Sequence, residues 1–389
     1  MFIKEDDLKL NEWQFAQRKY LPYDVKLRLT ETRIREWHEN WEGQVYLSYS
    51  GGLDSTVLLH LIRKVIGEDV PAVFSNTGLE FPEIVRFARK ASGEFVEIVP
   101  RDRDGKRILY RDVVREYGYP LISKETAMKI RKLRHGNLSD RYRNYLLYGD
   151  ERGGFGKLAE KWKFLLNAPF DTSEKCCDVM KKGPFKKYAK DTGRVPYIGI
   201  TQDEGFMRAH QYAHTGCNIY DAKTVKSQPL GFWTKQDILR YTVENDIEIC
   251  SIYGDIQQDT KGKYYLTGEQ RTGCMFCAFG VHLEKEPNRF QRMLITHPRH
   301  YECCMRKTRV VDLESGEELY TDPISFSKNC DIERDILQKV REIGREAFFH
   351  KYKVIPGLGM AEALEYCGIP YTTWEAEGQM SFADFGVCI

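Results

Sequence analysis

The feature that most constrains this chain lies at residues 44–66. A run of strand character, QVYLSY, passes without a spacer into Ser50-Gly51-Gly52-Leu53-Asp54-Ser55-Thr56. The following DSTVLLHLIRKVI has apolar residues at helical spacing. Residues 71–75, PAVFS, read as a second strand, Pro82 opens a helix at its favoured first-turn position, and residues 95–99, FVEIV, read as a third strand. Strands joined by helices of this length make right-handed βαβ units, so an α/β fold with a parallel sheet is expected.

The turn SYSGGLDST, from Ser48 to Thr56, has the chemistry of an anion cradle. Gly51 and Gly52 let backbone N–H groups converge on one point, and the helix start adds its partial positive charge. Ser50, Ser55 and Thr56 add hydroxyl donors. Asp54 would repel a bare phosphate, which points to a Mg²⁺ ion between the carboxylate and the phosphates. No Gly-Lys-Ser/Thr follows, so this is not a Walker loop.

These residues match the S-G-G-x-D-S signature of the PP-loop ATP-pyrophosphatase superfamily, which includes GMP synthetase and tRNA-thiolating enzymes. The resemblance implies a Rossmann-like parallel sheet with helices on both faces, holding ATP or an adenylylated sulfate. Phe74-Ser75-Asn76-Thr77-Gly78-Leu79-Glu80-Phe81-Pro82 further resembles the "D-T-G-x-x-F-P-E-T" segment of phosphoadenylyl-sulfate (PAPS) and adenylyl-sulfate (APS) reductases. In that family this strand end borders the adenosine, which assigns Asn76, Thr77 and Gly78 to the nucleotide. Thr201-Gln202-Asp203-Glu204 with Arg208 corresponds to a "G-x-R-x-x-E-S-x-x-R" element, although Thr201 and Gln202 stand where the reductases have arginines. Pro229-Leu230 with Trp233, Asp237 and Tyr241 resembles "P-L-x-x-W-x-x-x-D-V-x-x-Y". Residues 234–246, TKQDILRYTVEND, read as a capped helix with Thr234 as N-cap and Asp237 at the third helical position. The resemblance spans about residues 40–285. It implies an N-terminal extension at 1–40, a catalytic domain at 41–285 and a mainly helical C-terminal region at 286–389. The charged residues 1–40 read as a strand or hairpin followed by a helix, TETRIREWHENW.

Eleven cysteines are many for a chain whose first residues, MFIKEDDLKLNEW, do not read as a signal peptide. In a reducing, cytoplasmic setting, thiols that group together point to metal or catalytic roles. Cys176-Cys177 and Cys274-x-x-Cys277 supply four thiolates. An adjacent pair suits a wide 4Fe–4S cubane better than mononuclear Zn²⁺, which stays the alternative. Cys176-Cys177 followed by Lys181, Lys182 and Pro184 also resembles the "C-C-x-x-R-K-x-x-P-L" element of APS reductases, whose cluster uses such a pair and a distant C-x-x-C. Cys303-Cys304, after His297 and His300, lack metal-ligand spacing and read as a packed helix face.

Reductases of this family carry a nucleophile in "E-C-G-[LI]-H". The nearest match here is Glu365-Tyr366-Cys367-Gly368-Ile369-Pro370, with one residue inserted and the His missing. Cys367 is the candidate nucleophile, and Cys388 in an apolar FGVCI is the other. Neither has a basic neighbour to lower its pKa.

Three functions follow. The preferred one splits Mg-ATP to AMP and pyrophosphate to activate an acceptor for sulfur transfer, with Asp54 and Ser55 at the phosphates. ATP pyrophosphatases of DNA phosphorothioation combine such a loop with cluster cysteines. A sulfur-donor protein such as a cysteine desulfurase would be the partner. The second function reduces a sulfonucleotide through Cys367 or Cys388, with a thioredoxin-like reductant. The third only senses nucleotide or redox state. Net charge is +2, so bulk charge does not drive nucleic-acid binding. Residues 124–145 nevertheless concentrate Lys124, Lys129, Arg131, Lys132, Arg134, His135, Arg141 and Arg143 among tyrosines, a pattern shared by a solvated helix and a nucleic-acid groove. No apolar run approaches the ~18 residues of a membrane span.

Overall fold

The computed structural model describes residues 12–150, 154, 156–201, 212, 215–220, 225–321 and 331–372. The chain divides into two compact units, residues 1–107 with 180–275, and residues 108–179 with 276–389.

The first unit is built on one six-stranded sheet. Its spatial order is Phe95–Ile98, Ala72–Ser75, Val45–Tyr49, Val195–Ile198, Lys226–Ser227 and Asn218–Ile219. Every neighbour pair is parallel except the last, where Asn218–Ile219 turns back against Lys226–Ser227. Val45–Tyr49 is central, and Leu47 aligns with Ala72 on one side and Tyr197 on the other. Its side chains are almost all buried, as a parallel strand covered on both faces requires. The helix Leu53–Val65 buries Val57, Leu58, Leu61 and Ile62 in the same core as Trp37, Phe74, Trp233 and Tyr241.

A strand or hairpin was expected ahead of the helix TETRIREWHENW; the structure instead has helices at Glu12–Lys19 and Tyr23–Asn40. The buried positions of the longer one are Lys26, Thr30, Arg33, Ile34 and Trp37, which is helical spacing. Three of those five are polar, so hydropathy hides the period. Each of the three has a specific partner. Lys26 donates to Asp237 at 2.7 Å, Arg33 to Glu36 at 2.8 Å, and Thr30 accepts from Trp233 Nε1 at 2.8 Å while donating to the Pro229 carbonyl.

In the second unit, helices Tyr110–Tyr117, Lys124–His135 and Asp140–Tyr148 carry the basic stretch. Beyond residue 285 the described residues include five helices, and also a three-stranded antiparallel sheet for which the sequence shows no strand signal. Its central strand is Lys307–Asp312, flanked by Glu318–Thr321 and Tyr352–Leu358. KTRVVD buries a charged Arg309 beside Glu302, and YKVIPGL contains Pro and Gly, so neither shows an apolar alternation.

Gly118 joins this unit at one of its tightest points. Its φ is +97°, and a Cβ there would lie 2.2 Å from the Asp171 carbonyl. Gly118→Ala is expected to destabilise the protein by roughly 2 kcal/mol or more. A urea midpoint equal to wild type would contradict that packing.

Candidate phosphate site

The loop is held in shape by its own side chains. Gly51 has φ +67°, and a Cβ there would press on Ile84 and Ala88 at 3.1–3.3 Å. The Ser50 and Ser55 hydroxyls lie 2.9 Å apart, the Gly52 amide donates to Ser50 Oγ, and Ser55 and Thr56 both donate to the Gly52 carbonyl at 2.9 Å. Ser48 pairs with Val73 and Ile198 within the sheet, just behind the turn. The first-turn amides of Asp54 and Ser55 point ahead of the helix, where an anion is favoured.

Residues distant in sequence complete the surroundings. Leu53 N–H donates to the Tyr253 hydroxyl at 3.1 Å, and that hydroxyl meets Thr272 Oγ1 at 2.6 Å. Burial pushes the Tyr253 phenol up to about 12, so it stays protonated and serves as a neutral cap. Gly199, just past the strand Val195–Ile198, has no room for a side chain: a Cβ would lie 2.9 Å from Ser55 Cα. Lys235 follows the N-cap of Lys235–Glu244 and holds Gln270 Oε1 at 2.8 Å. Burial lowers its pKa, the negative charge of Asp54 raises it, and Arg271 lowers it. Lys235 is thus within electrostatic reach of both Asp54 and Arg271. Tyr253, Gly199, Lys235, Arg271 and Thr272 carry no motif of their own. Tyr253, Arg271 and Thr272 lie between the Trp233–Asp237 element and Cys274, Lys235 lies within that element, and Gly199 lies just before Thr201.

Asn76, Thr77 and Gly78 follow the strand Ala72–Ser75, as expected, with their polar groups engaged. Asn76 donates to Glu97 at 2.8 Å, and Glu97 also binds Arg89 through both oxygens. Hydrogen bonds from Arg89 hold the Glu97 carboxyl below its ordinary pKa. Thr77 donates from its amide and hydroxyl to Glu80, and Lys181 approaches the same carboxylate at 3.5 Å. Gly78 takes φ +77° as its amide donates to Asn76 Oδ1. The Pro229–Tyr241 element is an anchor: Thr234 and Asp237 form the expected capping box, and Asp237 also holds Lys26. Arg208, with Gln202, Asp203 and Glu204, lies outside the described residues, as does Cys388.

Cys176, Cys177 and Cys277 belong to the second unit and Cys274 to the first. Cys176-Cys177 sit in the short helix Lys175–Cys177, followed by a π turn at Asp178–Lys182. Cys277 lies within electrostatic reach of Cys177, and burial raises its pKa. Among the described residues, no group of three or more Cys, His, Asp or Glu is arranged to hold a metal ion. Cys367 caps the helix Met360–Tyr366, and burial pushes its thiol up to about 12, the reverse of what a nucleophile needs.

Much of the basic stretch is spoken for internally. Lys129 binds Glu125 and the Lys157 carbonyl, Arg131 binds Glu174 through both oxygens, and Arg134 and His135 both reach Asp171. Lys132 donates to the Tyr142 hydroxyl and Arg143 to the Leu133 carbonyl. Among these groups, Lys124, His135 and Arg141 are exposed.

A mostly parallel sheet with an anion cradle between its central strand and the following helix defines a nucleotide-handling α/β protein of the PP-loop kind. The chain matches the phosphoadenosine phosphosulfate reductase domain model over residues 44–137 and 138–278, and it belongs to that family. Members of the family are enzymes that act on adenine nucleotides. An uncharacterized protein of Methanocaldococcus jannaschii is 24% identical over 247 residues, covering 63% of this chain and 38% of that protein. The chain thus spans well under half of that relative. Sulfate adenylyltransferase subunit 2 of Rhizobium tropici is 24% identical over 367 residues, covering 84% of this chain and 94% of that one. A solved PAPS reductase from Candida auris, in a phosphate complex, is 14% identical with a TM-score of 0.33, covering 66% of this chain and 99% of that chain. No described helix is long and apolar enough to cross a membrane.

Proposed function

We propose that residues 41–285 form an ATP-dependent adenylyl-activating domain that releases pyrophosphate. The observation that carries this reading is the loop itself: a glycine turn lined by the Ser50 and Ser55 hydroxyls runs into the first turn of Leu53–Val65, where Asp54 acts electrostatically on Lys235. An acceptor oxygen would attack the α-phosphorus of ATP. The bond from that phosphorus to the bridging oxygen would break, and its electron pair would leave with pyrophosphate. The Asp54 and Ser55 amides, Lys235 and Arg271 are the groups suited to the charge on that leaving group. One carboxylate at the loop fits Mg²⁺, which binds mainly through substrate phosphates and one or two carboxylates. Asp54 would hold the ion, and the ion would screen phosphate charge. The Rhizobium tropici relative is by name an adenylyltransferase, which supports the same class of step.

The second reading, reduction of a sulfonucleotide, needs a reactive thiol. A Cys367 thiol pushed up to about 12 is almost wholly protonated at neutral pH. Cys367→Ser is therefore expected to keep ATP–pyrophosphate exchange within about twofold of wild type. Sulfite release from APS or PAPS by wild type, lost in Cys367→Ser, would move the assignment to the reductase.

No step is routed through iron or zinc. The expectation of a 4Fe–4S cluster on Cys176, Cys177, Cys274 and Cys277 has a direct test in protein purified without oxygen. About four irons per chain, lost on Cys177→Ser, would support it. Folded, metal-free protein would remove it.

A further inference from the structure

The second unit presents a row of aromatic rings to solvent with lysines laid over them. The 3₁₀ helix Glu160–Asn167 turns Leu165 fully inward, which leaves Phe164 exposed and Trp162 half-buried. Phe164 is 39% exposed, and its ring lies 6.1 Å from Trp162 and 5.6 Å from Tyr366, itself 41% exposed. Tyr148, at the end of the helix Asp140–Tyr148, is 65% exposed. Lys163 Nζ stands 5.4 Å from the Tyr148 ring centre and Lys161 Nζ 5.2 Å from that of Trp162. The Trp162 ring also meets His282 edge-on at 5.2 Å.

Exposed aromatic rings in contact with one another give up apolar burial, and lysines held over them do not hide them. Rings that offer π-faces beside flexible cations suit one class of ligand: unpaired bases on a phosphate backbone. The one carboxylate paired here is Glu160, which lies 2.9 Å from Lys163 and is itself 83% exposed. A phosphate can therefore replace it without stranding a buried charge. A protein partner would also cover the rings, but it has no need of cations above them. The basic stretch at 124–145 contributes little, because most of its charges are tied to Glu125, Glu174, Asp171 and carbonyls.

We infer that Tyr148, Trp162, Phe164 and Tyr366, with Lys161 and Lys163, form a binding strip for single-stranded nucleic acid. The inference concerns binding alone and stands apart from the chemistry at the phosphate loop.

The test titrates the full chain into fluorescein-labelled 20-nucleotide single strands, DNA and RNA of mixed sequence, and follows anisotropy without ATP. Micromolar or tighter binding is expected, weaker for a duplex of the same sequence and weaker as salt rises. Tyr148→Ala and Phe164→Ala should each reduce affinity roughly 5- to 100-fold, the range for loss of one stacked base. Lys161→Ala with Lys163→Ala should flatten the salt dependence. All four side chains lie outside the phosphate site, so ATP–pyrophosphate exchange in these variants should stay at the wild-type level and report an intact fold. Absence of binding by wild type would overturn the inference. So would a duplex bound as tightly as the single strand, or unchanged affinity in the aromatic variants. Because exchange is measured in the same samples, failure of the strip is distinguishable from failure of the catalytic reading.

Discussion

Asp54→Ala is expected to lower ATP-dependent pyrophosphate release by about 10²- to 10³-fold, the usual cost of removing one preorganised electrostatic partner. Asp54 is in the first turn of Leu53–Val65 and is not a core group, so the thermal midpoint should barely move. The loss is also expected to act on Lys235. Asp54 raises the Lys235 pKa against burial, so its loss lowers that pKa further. High Mg²⁺ should not restore turnover. Turnover close to wild type at saturating Mg²⁺ would remove Asp54 from the site.

Gly51→Ala carries the second large effect, and its origin is steric. The residue sits at φ +67°, where an L side chain is strained, and its Cβ would meet Ile84 at 3.1 Å and the Ile84 carbonyl at 3.2 Å. The strain alone costs about 1–3 kcal/mol, and the turn relieves it by moving. Movement of Gly51 shifts the Gly52 amide and the Ser50–Ser55 pair that shape the cradle. Affinity for ATP is expected to fall at least about tenfold by calorimetric titration, with a lower unfolding midpoint. Unchanged affinity would mean that the phosphates do not rest on this turn.

The nucleotide half of the fold was legible because its signals are local. A strand, a glycine turn and an amphipathic helix follow one another within residues 44–66, and the sheet order grows outward from there. The capping box at Thr234 and Asp237 was equally plain, since both partners lie within one turn. The start of the helix Tyr23–Asn40 was missed, although TETRIREWHENW was legible as helix, because Lys26, Thr30 and Arg33 fill its buried face. Their partners at Asp237, Trp233 and Glu36 make that burial affordable, and for two of the three the partner lies more than 200 residues away. The late antiparallel sheet escaped for a similar reason, as Arg309 is buried only because Glu302 lies beside it.

At the site, glycines and hydroxyls announced the loop, but nothing local announced what surrounds it. Tyr253 reaches the Leu53 amide from 200 residues away, and Thr272 and Lys235 arrive from other elements. The basic helices show the opposite case. Their charge was conspicuous in sequence, and much of it closes on neighbouring carboxylates and carbonyls. The exposed rings at Tyr148, Phe164 and Tyr366 drew little notice, because exposure cannot be read from residue type.

Release of pyrophosphate from ATP at this loop is separable from sulfonucleotide reduction in a single experiment. The most direct measurement incubates anaerobically purified protein in two parallel reactions. One contains Mg-ATP, labelled pyrophosphate and a heat-treated cell extract as the source of acceptor, and follows ATP–pyrophosphate exchange; the other contains APS or PAPS with a thiol reductant and follows sulfite. The account predicts exchange that disappears in Asp54→Ala, and no sulfite above the protein-free control. Sulfite released by wild type and lost in Cys367→Ser or Cys388→Ser, without exchange, would contradict it.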